Sequence, residues 1–175
     1  ALRIDQMIDP ELTFQMAVED YRRQGYSDKW INERMRSIEM RKELTDEWQR
    51  SGITKQKEFA ILTNVLTKAW SGMTTSEYKR HKGLTKEILR DNMTNVELAL
   101  NTLAEVATTE LSRQGNPKGI TQSAKTAQAG GEVARNARTD LESRLGHTVI
   151  SSQRAFDYIH SIEKDTAKEL SQHEP

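Results

Sequence analysis

Five basic side chains lie close together between Thr74 and Arg90, and their types and spacing suit ligand binding better than any others in the chain. They are Lys79, Arg80, Lys82, Lys86 and Arg90. Glu77 and Glu87 leave an excess of three positive charges within 17 residues of a chain whose formal net charge is +0. Cationic side chains neutralise the phosphates of nucleic acids. The cluster therefore predicts a surface for nucleic acid or a protein partner, although a solvated helix face is the commoner case.

Two aromatic rings beside the cluster could add base stacking. Tyr78 lies within it and Trp70 precedes it. Bases stack on exposed aromatic rings in proteins that bind single strands. The simpler interpretation places Trp70, like Trp30 and Trp48, in the core or at an interface, because each lies on or near an apolar helix face. Trp70 and Tyr78 therefore join the five cations as candidate binding residues.

No group of residues in the sequence predicts catalysis. The chain has no cysteine, which excludes thiolate chemistry and cysteine-based zinc sites. Its histidines lack a second ligand at the spacing of a metal motif, and Gly130-Gly131 does not follow a strand as a dinucleotide-binding turn would. We therefore expect neither enzymatic activity nor a cofactor or metal.

Helical periodicity runs through almost the whole sequence, while strand-like alternation is nearly absent. Cap residues and glycines divide the chain into about seven helices, and the predicted fold is all-α and elongated. Residues 9–175 are expected to form one helical domain. The break at Gly115–Gly119 leaves open two lobes, 9–114 and 120–172.

The segment opened by Thr94 and Glu97 is the most apolar of these helices. Thr94 and Glu97 fit a capping box, and apolar residues recur behind them at helical spacing. They are Val96, Ala99, Leu100, Leu103, Ala104, Val106, Ala107 and Leu111. The pattern predicts that this segment is the central helix of the core and that its apolar stripe is buried.

Small residues form a stripe in the segment that follows the break. It comprises Ala124, Ala127, Gly130, Gly131, Ala134 and Ala137. Each glycine weakens a helix by about 1 kcal/mol relative to alanine, so the pair indicates the close approach of another helix. Ala127, Gly130, Gly131 and Ala134 are the candidate interface residues. A helix broken at the glycine pair is the alternative.

Composition favours self-association. Only 35% of the residues are hydrophobic and 30% are charged, which is a small apolar supply for one compact core. Together with the small-residue stripe, this predicts a homo-oligomer. No apolar run is long enough to span a membrane. The absence of cysteine suits a reducing compartment, so the expected location is the cytoplasm.

Four sequence blocks resemble one family. Residues 59–64 read FAILTN, 82–93 read KGLTKEILRDNM, 97–110 read ELALNTLAEVATTE and 130–138 read GGEVARNAR. These blocks resemble the C-terminal region of BRO-type phage and prophage antirepressors, a group that includes DNA-damage-inducible protein D. The resemblance extends from Ile8 to about Ile150.

The resemblance implies that this chain is the C-terminal part of a longer regulator. An N-terminal BRO domain, thought to bind DNA, would precede it, and residues 1–8 would be the linker. The partner would be a phage repressor for the antirepressors and the recombinase filament of the damage response for the damage-inducible relatives. The family supplies no catalytic residues.

Overall fold

The computed structural model describes residues 10–173 and is helical throughout its regular structure. The predicted linker, 1–8, and residue 9 lie outside the described residues. The seven α-helices within them are α1 (Pro10–Arg23), α2 (Asp28–Arg50), α3 (Gln56–Ser71), α4 (Thr75–His81), α5 (Asn95–Gly115), α6 (Gly119–Leu145) and α7 (Ala155–Gln172). The all-α prediction is confirmed, and no strand occurs in 10–173.

Capping side chains are present at the starts of three helices, α2, α4 and α5. The Ser27 hydroxyl accepts the backbone N–H of Trp30 at the start of α2. Thr74 with Glu77, and Thr94 with Glu97, form the capping boxes that open α4 and α5. Thr85 caps no helix. The chain from 84 to 89 bends, and only the short 3-10 turn Arg90–Asn92 precedes α5.

The core lies where α5 packs between α2 and α6, with α3 packed against α6. Three tryptophans, Trp30, Trp48 and Trp70, are fully enclosed there. The indole Nε1 of Trp30 donates to the carbonyl of Met93 at 2.8 Å, which ties α2 to the residue before the α5 cap. The 3-10 turn is held similarly, because Tyr21 and Arg34 both donate to the Asp91 carboxylate at 2.7 and 2.8 Å.

The helix α6 runs unbroken through Gly130 and Gly131, so the alternative of a broken helix is not realised. A Cβ atom at Gly130 would lie 1.9 Å from the Thr108 hydroxyl and 2.7 Å from the Thr108 backbone nitrogen. At Gly131 it would lie 2.4 Å from the Cβ of Ala69. The glycine pair therefore lets α6 approach both α5 and α3 closely.

Candidate interaction surface

The buried side of α5 is largely polar, which corrects in part the orientation predicted from the sequence. Leu100 and Ala104 of the predicted stripe are buried, whereas Val96, Ala99, Leu103 and Leu111 are exposed. Glu97 and Glu105 are 0% exposed and Asn101 is 2% exposed. These three residues are spaced four apart and share one face, which Thr108 and Ser112 continue. The apolar stripe predicted as core therefore lies partly on the outside of the helix. The carboxylates can be buried because cations reach them: Arg41 from α2, Lys82 from the residue after α4, and Arg90 from the 3-10 turn.

The first buried carboxylate, Glu97, lies at the centre of a fully enclosed ion pair. Lys82 Nζ donates to Glu97 Oε1 at 2.8 Å, and both side chains are 0% exposed. The Tyr78 hydroxyl donates to Oε2 of the same carboxylate. Lys82 also donates to the carbonyls of Ser151 and Gln153, each at 2.7 Å. This one ammonium group therefore fastens the segment before α7 to α4 and α5.

Burial governs the charges of this pair. Removal from water raises the pKa of the Glu97 carboxyl and lowers the pKa of the Lys82 ammonium, because a low-dielectric surrounding disfavours the charged form of each group. Hydrogen bonds from backbone N–H groups pull the Glu97 pKa in the opposite direction by a smaller amount.

The second buried carboxylate, Glu105, is shared by two guanidinium groups. Arg90 Nη2 lies 3.2 Å from Oε1, and Arg41 Nη1 lies 3.6 Å from Oε2. Asn101 donates to Oε1 at 2.8 Å and accepts the Trp70 indole N–H at 3.1 Å. Trp70 is thereby fixed inside the molecule by a hydrogen bond as well as by packing.

Three of the residues predicted to bind a ligand are buried by these contacts. Trp70 and Tyr78 are 0% exposed and Lys82 is 4% exposed, so a nucleic acid or protein partner cannot reach them. The prediction was wrong for these three residues because each closes a polar contact with α5. Arg80 remains exposed, and Lys79, Lys86 and Arg90 line one cleft.

The small-residue stripe is used within the chain. Ala127 and Ala134 are 0% exposed, and Gly130 and Gly131 face Thr108 of α5 and Ala69 of α3. These four residues therefore form a helix–helix contact between α6 and its own neighbours. They no longer support self-association, because no second copy can reach them.

The outer side of α5 carries a stripe of apolar side chains, which we name the α5 face. It comprises Val96, Ala99, Leu103, Val106 and Leu111. Val96, Leu103 and Leu111 are 37%, 37% and 38% exposed. Spacings of seven and eight residues place these three side chains on one side of the helix. The sequence pattern showed these residues, but their exposure follows only from the burial of the opposite, polar face.

A cleft of about 680 Å³ extends the α5 face at its N-terminal end. Its walls include Val96 of α5, Leu145 at the end of α6 and Tyr158 of α7. The connecting segment 147–153, which Lys82 holds through two of its carbonyls, forms the remaining wall. Leu145 is 48% exposed, so this cleft offers apolar surface to a partner.

Two further observations concern the described part of the chain. No helix in it is both long and apolar enough to cross a lipid bilayer. No group of three or more His, Cys, Asp or Glu side chains within it is arranged to hold a metal ion.

The family model of the DinD C-terminal domain matches residues 24–163, from before α2 into α7. The chain belongs to the DinD C-terminal domain family. The DinD-like part of the resemblance is thus confirmed over the helices that form the core. Comparison of this DinD C-terminal domain with curated proteins gives no match.

Proposed function

We propose that this DinD C-terminal domain is an interaction module that associates with a second copy of itself through the α5 face. The observation that carries the proposal is the exposed apolar stripe of α5. Val96, Leu103 and Leu111 of that stripe remain 37–38% exposed, although α5 packs between α2 and α6. Ion pairs on its inner side fix which face of α5 points outward.

The α5 face has the form that helix pairing uses. Val96 and Leu103 are one heptad apart, and Ala99 and Val106 continue the same seam. Burying apolar surface contributes roughly 25 cal/mol per Å². A stable interface buries roughly 800 Å² on each partner, and the adjoining cleft extends the available area beyond one helix face.

The wider role follows from the family. We propose that the full regulator acts in the DNA-damage response or as a prophage antirepressor, in the cytoplasm. Its protein partner would be a recombinase filament or a phage repressor. DNA contact would be made mainly by the N-terminal domain that the resemblance to BRO-type proteins implies. Such a partner would bind the α5 face either together with the second copy of the domain or in competition with it.

Self-association is tested by light scattering coupled to size-exclusion chromatography. We expect the wild-type domain to elute as a dimer, and Leu103→Glu to elute as a monomer, since a charge in the seam opposes burial. Ile61→Glu is the matched control, because Ile61 is 41% exposed on α3 and lies outside the α5 face. A wild-type monomer at several hundred micromolar would contradict self-association.

Partner binding is tested separately with purified recombinase filaments and with repressor. We expect immobilised wild-type domain to retain one of them, and Leu103→Glu to lose it. Lys79→Gln/Lys86→Gln should retain it, because those side chains lie away from the α5 face. If the Leu103→Glu domain retains the partner and the double lysine variant does not, the partner binds at the cleft lined by Lys79, Lys86 and Arg90 instead.

A further inference from the structure

Three cations from different elements line one cleft of about 320 Å³. Lys79 comes from α4, Lys86 from the bend after it and Arg90 from the 3-10 turn. Thr63 and Thr67 of α3 form part of the facing wall. The cleft therefore combines positive charge with hydroxyl groups, and it lies at the lower end of the roughly 300–1,000 Å³ range of small-molecule pockets.

The lysine charges in this cleft are not balanced. Neither Lys79 nor Lys86 forms an ion pair with any residue in 10–173. The acidic residue of the lining, Glu87, already pairs with Arg154 at 3.6 Å and accepts the Thr85 backbone N–H at 2.7 Å. A negatively charged ligand would therefore meet two ammonium groups that form no ion pair, beside one carboxylate, Glu87, that is already paired.

The buried layer beneath the cleft is also short of negative charge. One carboxylate, Glu105, serves both Arg41 and Arg90, so one guanidinium charge is left over. Arg41 Nη1 and Glu105 Oε2 lie 3.6 Å apart, and both atoms are buried without a hydrogen-bond partner. Burial lowers the pKa of Arg41, the charge of Glu105 opposes that shift, and the nearby positive charge of Arg90 adds to it. An anion in the cleft would relieve this repulsion between like charges.

We propose that this cleft binds a phosphate group through Lys79, Lys86 and Arg90. Phosphate oxygens accept charge-assisted hydrogen bonds, and arginine and lysine are the side chains that bind them best. Arg90 in the 3-10 turn contacts Glu105 through Nη2, and a guanidinium carries five N–H donors. The phosphate is that of a nucleic-acid backbone or of a small free phosphate. This inference does not depend on the proposed self-association.

Amide NMR titrations of the 15N-labelled domain test the proposal. One arm adds inorganic phosphate, and a second adds a 12-nucleotide oligothymidylate, each against sodium chloride of equal ionic strength. We expect the amide signals of Lys79, Lys86 and Arg90 to shift in at least one arm. Shifts with inorganic phosphate identify a free-phosphate site, whereas shifts with the oligonucleotide alone identify a backbone site.

Variants decide whether the cleft is responsible. Lys79→Gln/Lys86→Gln should weaken binding at least tenfold, while Lys125→Gln on the exposed side of α6 should leave it unchanged. For the oligonucleotide, losing two phosphate contacts should reduce the salt slope by roughly 1.4. The proposal is overturned if neither probe shifts these amides, or if the double variant binds as tightly as wild type.

Discussion

At the scale of single residues, Glu97 and Lys82 tie together α4, α5 and the segment before α7. The Glu97 carboxylate accepts hydrogen bonds from α4 and from the Thr94 backbone, while Lys82 holds two carbonyls of the segment before α7. Removing one partner of a buried ion pair typically costs roughly 3–5 kcal/mol, because it leaves an uncompensated charge.

The Glu97 carboxyl makes stability depend on pH. Its pKa is raised from 4.5 to about 8 by burial. Between these values the Glu97 carboxyl takes up a proton on folding, so Lys82 then donates to a neutral carboxyl. Both charges of the pair are present together only as the pH approaches 8. The free energy of unfolding should therefore fall as the pH rises from 4.5 to 8, by at most about 1.4 kcal/mol per unit. Above pH 8 the lowered pKa of Lys82, also about 8, acts in the opposite direction up to 10.5.

Urea unfolding between pH 5 and 8 measures this effect. We expect Glu97→Gln to be less stable overall and to lack the part of the slope that Glu97 contributes. Glu132→Gln is the control, because Glu132 is exposed on α6 and should keep the wild-type slope. Equal slopes in wild type and Glu97→Gln would show that Glu97 does not hold its proton in the folded protein.

The sequence predicted the basic residues but not which of them are buried. Lys79, Lys82 and Lys86 belong to one basic run, yet Lys82 is buried and the other two line a cleft. What distinguishes Lys82 is the position of Glu97, which lies 15 residues away in the chain. A run of like charges contains no information about a partner that only folding brings near.

At the scale of elements, the glycine pair of α6 was the clearest structural signal, and its purpose is close packing against α3 and α5. The cost of two helical glycines is roughly 2 kcal/mol relative to alanine. The approach of Thr108 and Ala69 to the glycine positions offsets it, because wider spacing would forfeit contact along both neighbouring helices.

Alanine substitutions test this packing. Gly130→Ala should destabilise the domain by about 1–3 kcal/mol or more, because the new Cβ would meet backbone atoms of Thr108 at 2.7 and 2.8 Å. Gly115→Ala should be neutral or stabilise by roughly 0.4–1 kcal/mol, because it ends α5 and has nothing within 4 Å. Thermal or urea unfolding compares the two; similar effects at both sites would contradict the packing argument.

The orientation of α5 shows where periodicity misleads. Its apolar residues indicated the correct helix and the correct central position, but only Leu100 and Ala104 of the predicted stripe are buried. Glu97, Asn101 and Glu105 at spacings of four were the available signal. The apolar periodicity outweighed this signal, because carboxylates are rarely buried unless cations reach them. Here Lys82, Arg41 and Arg90 do reach them.

At the scale of the whole molecule, the outward apolar stripe of α5 connects the fold to the proposed association. Association linked to folding makes stability depend on protein concentration, because mass action favours the associated native state. The urea midpoint of the wild-type domain should therefore rise between 1 and about 100 µM. Leu103→Glu should show no such rise, and Ile61→Glu should behave as wild type. A wild-type midpoint independent of concentration would contradict the linkage.

The sequence by itself determined the helical class, the capping box at Thr94, and membership in the DinD C-terminal domain family. These depend on residues close together in the chain or on blocks of sequence. Only the tertiary structure decided which cations are buried, which side of α5 faces outward and which neighbours the α6 glycines meet. Each of those outcomes depends on residues far apart in sequence, whose meeting is set by how the helices pack.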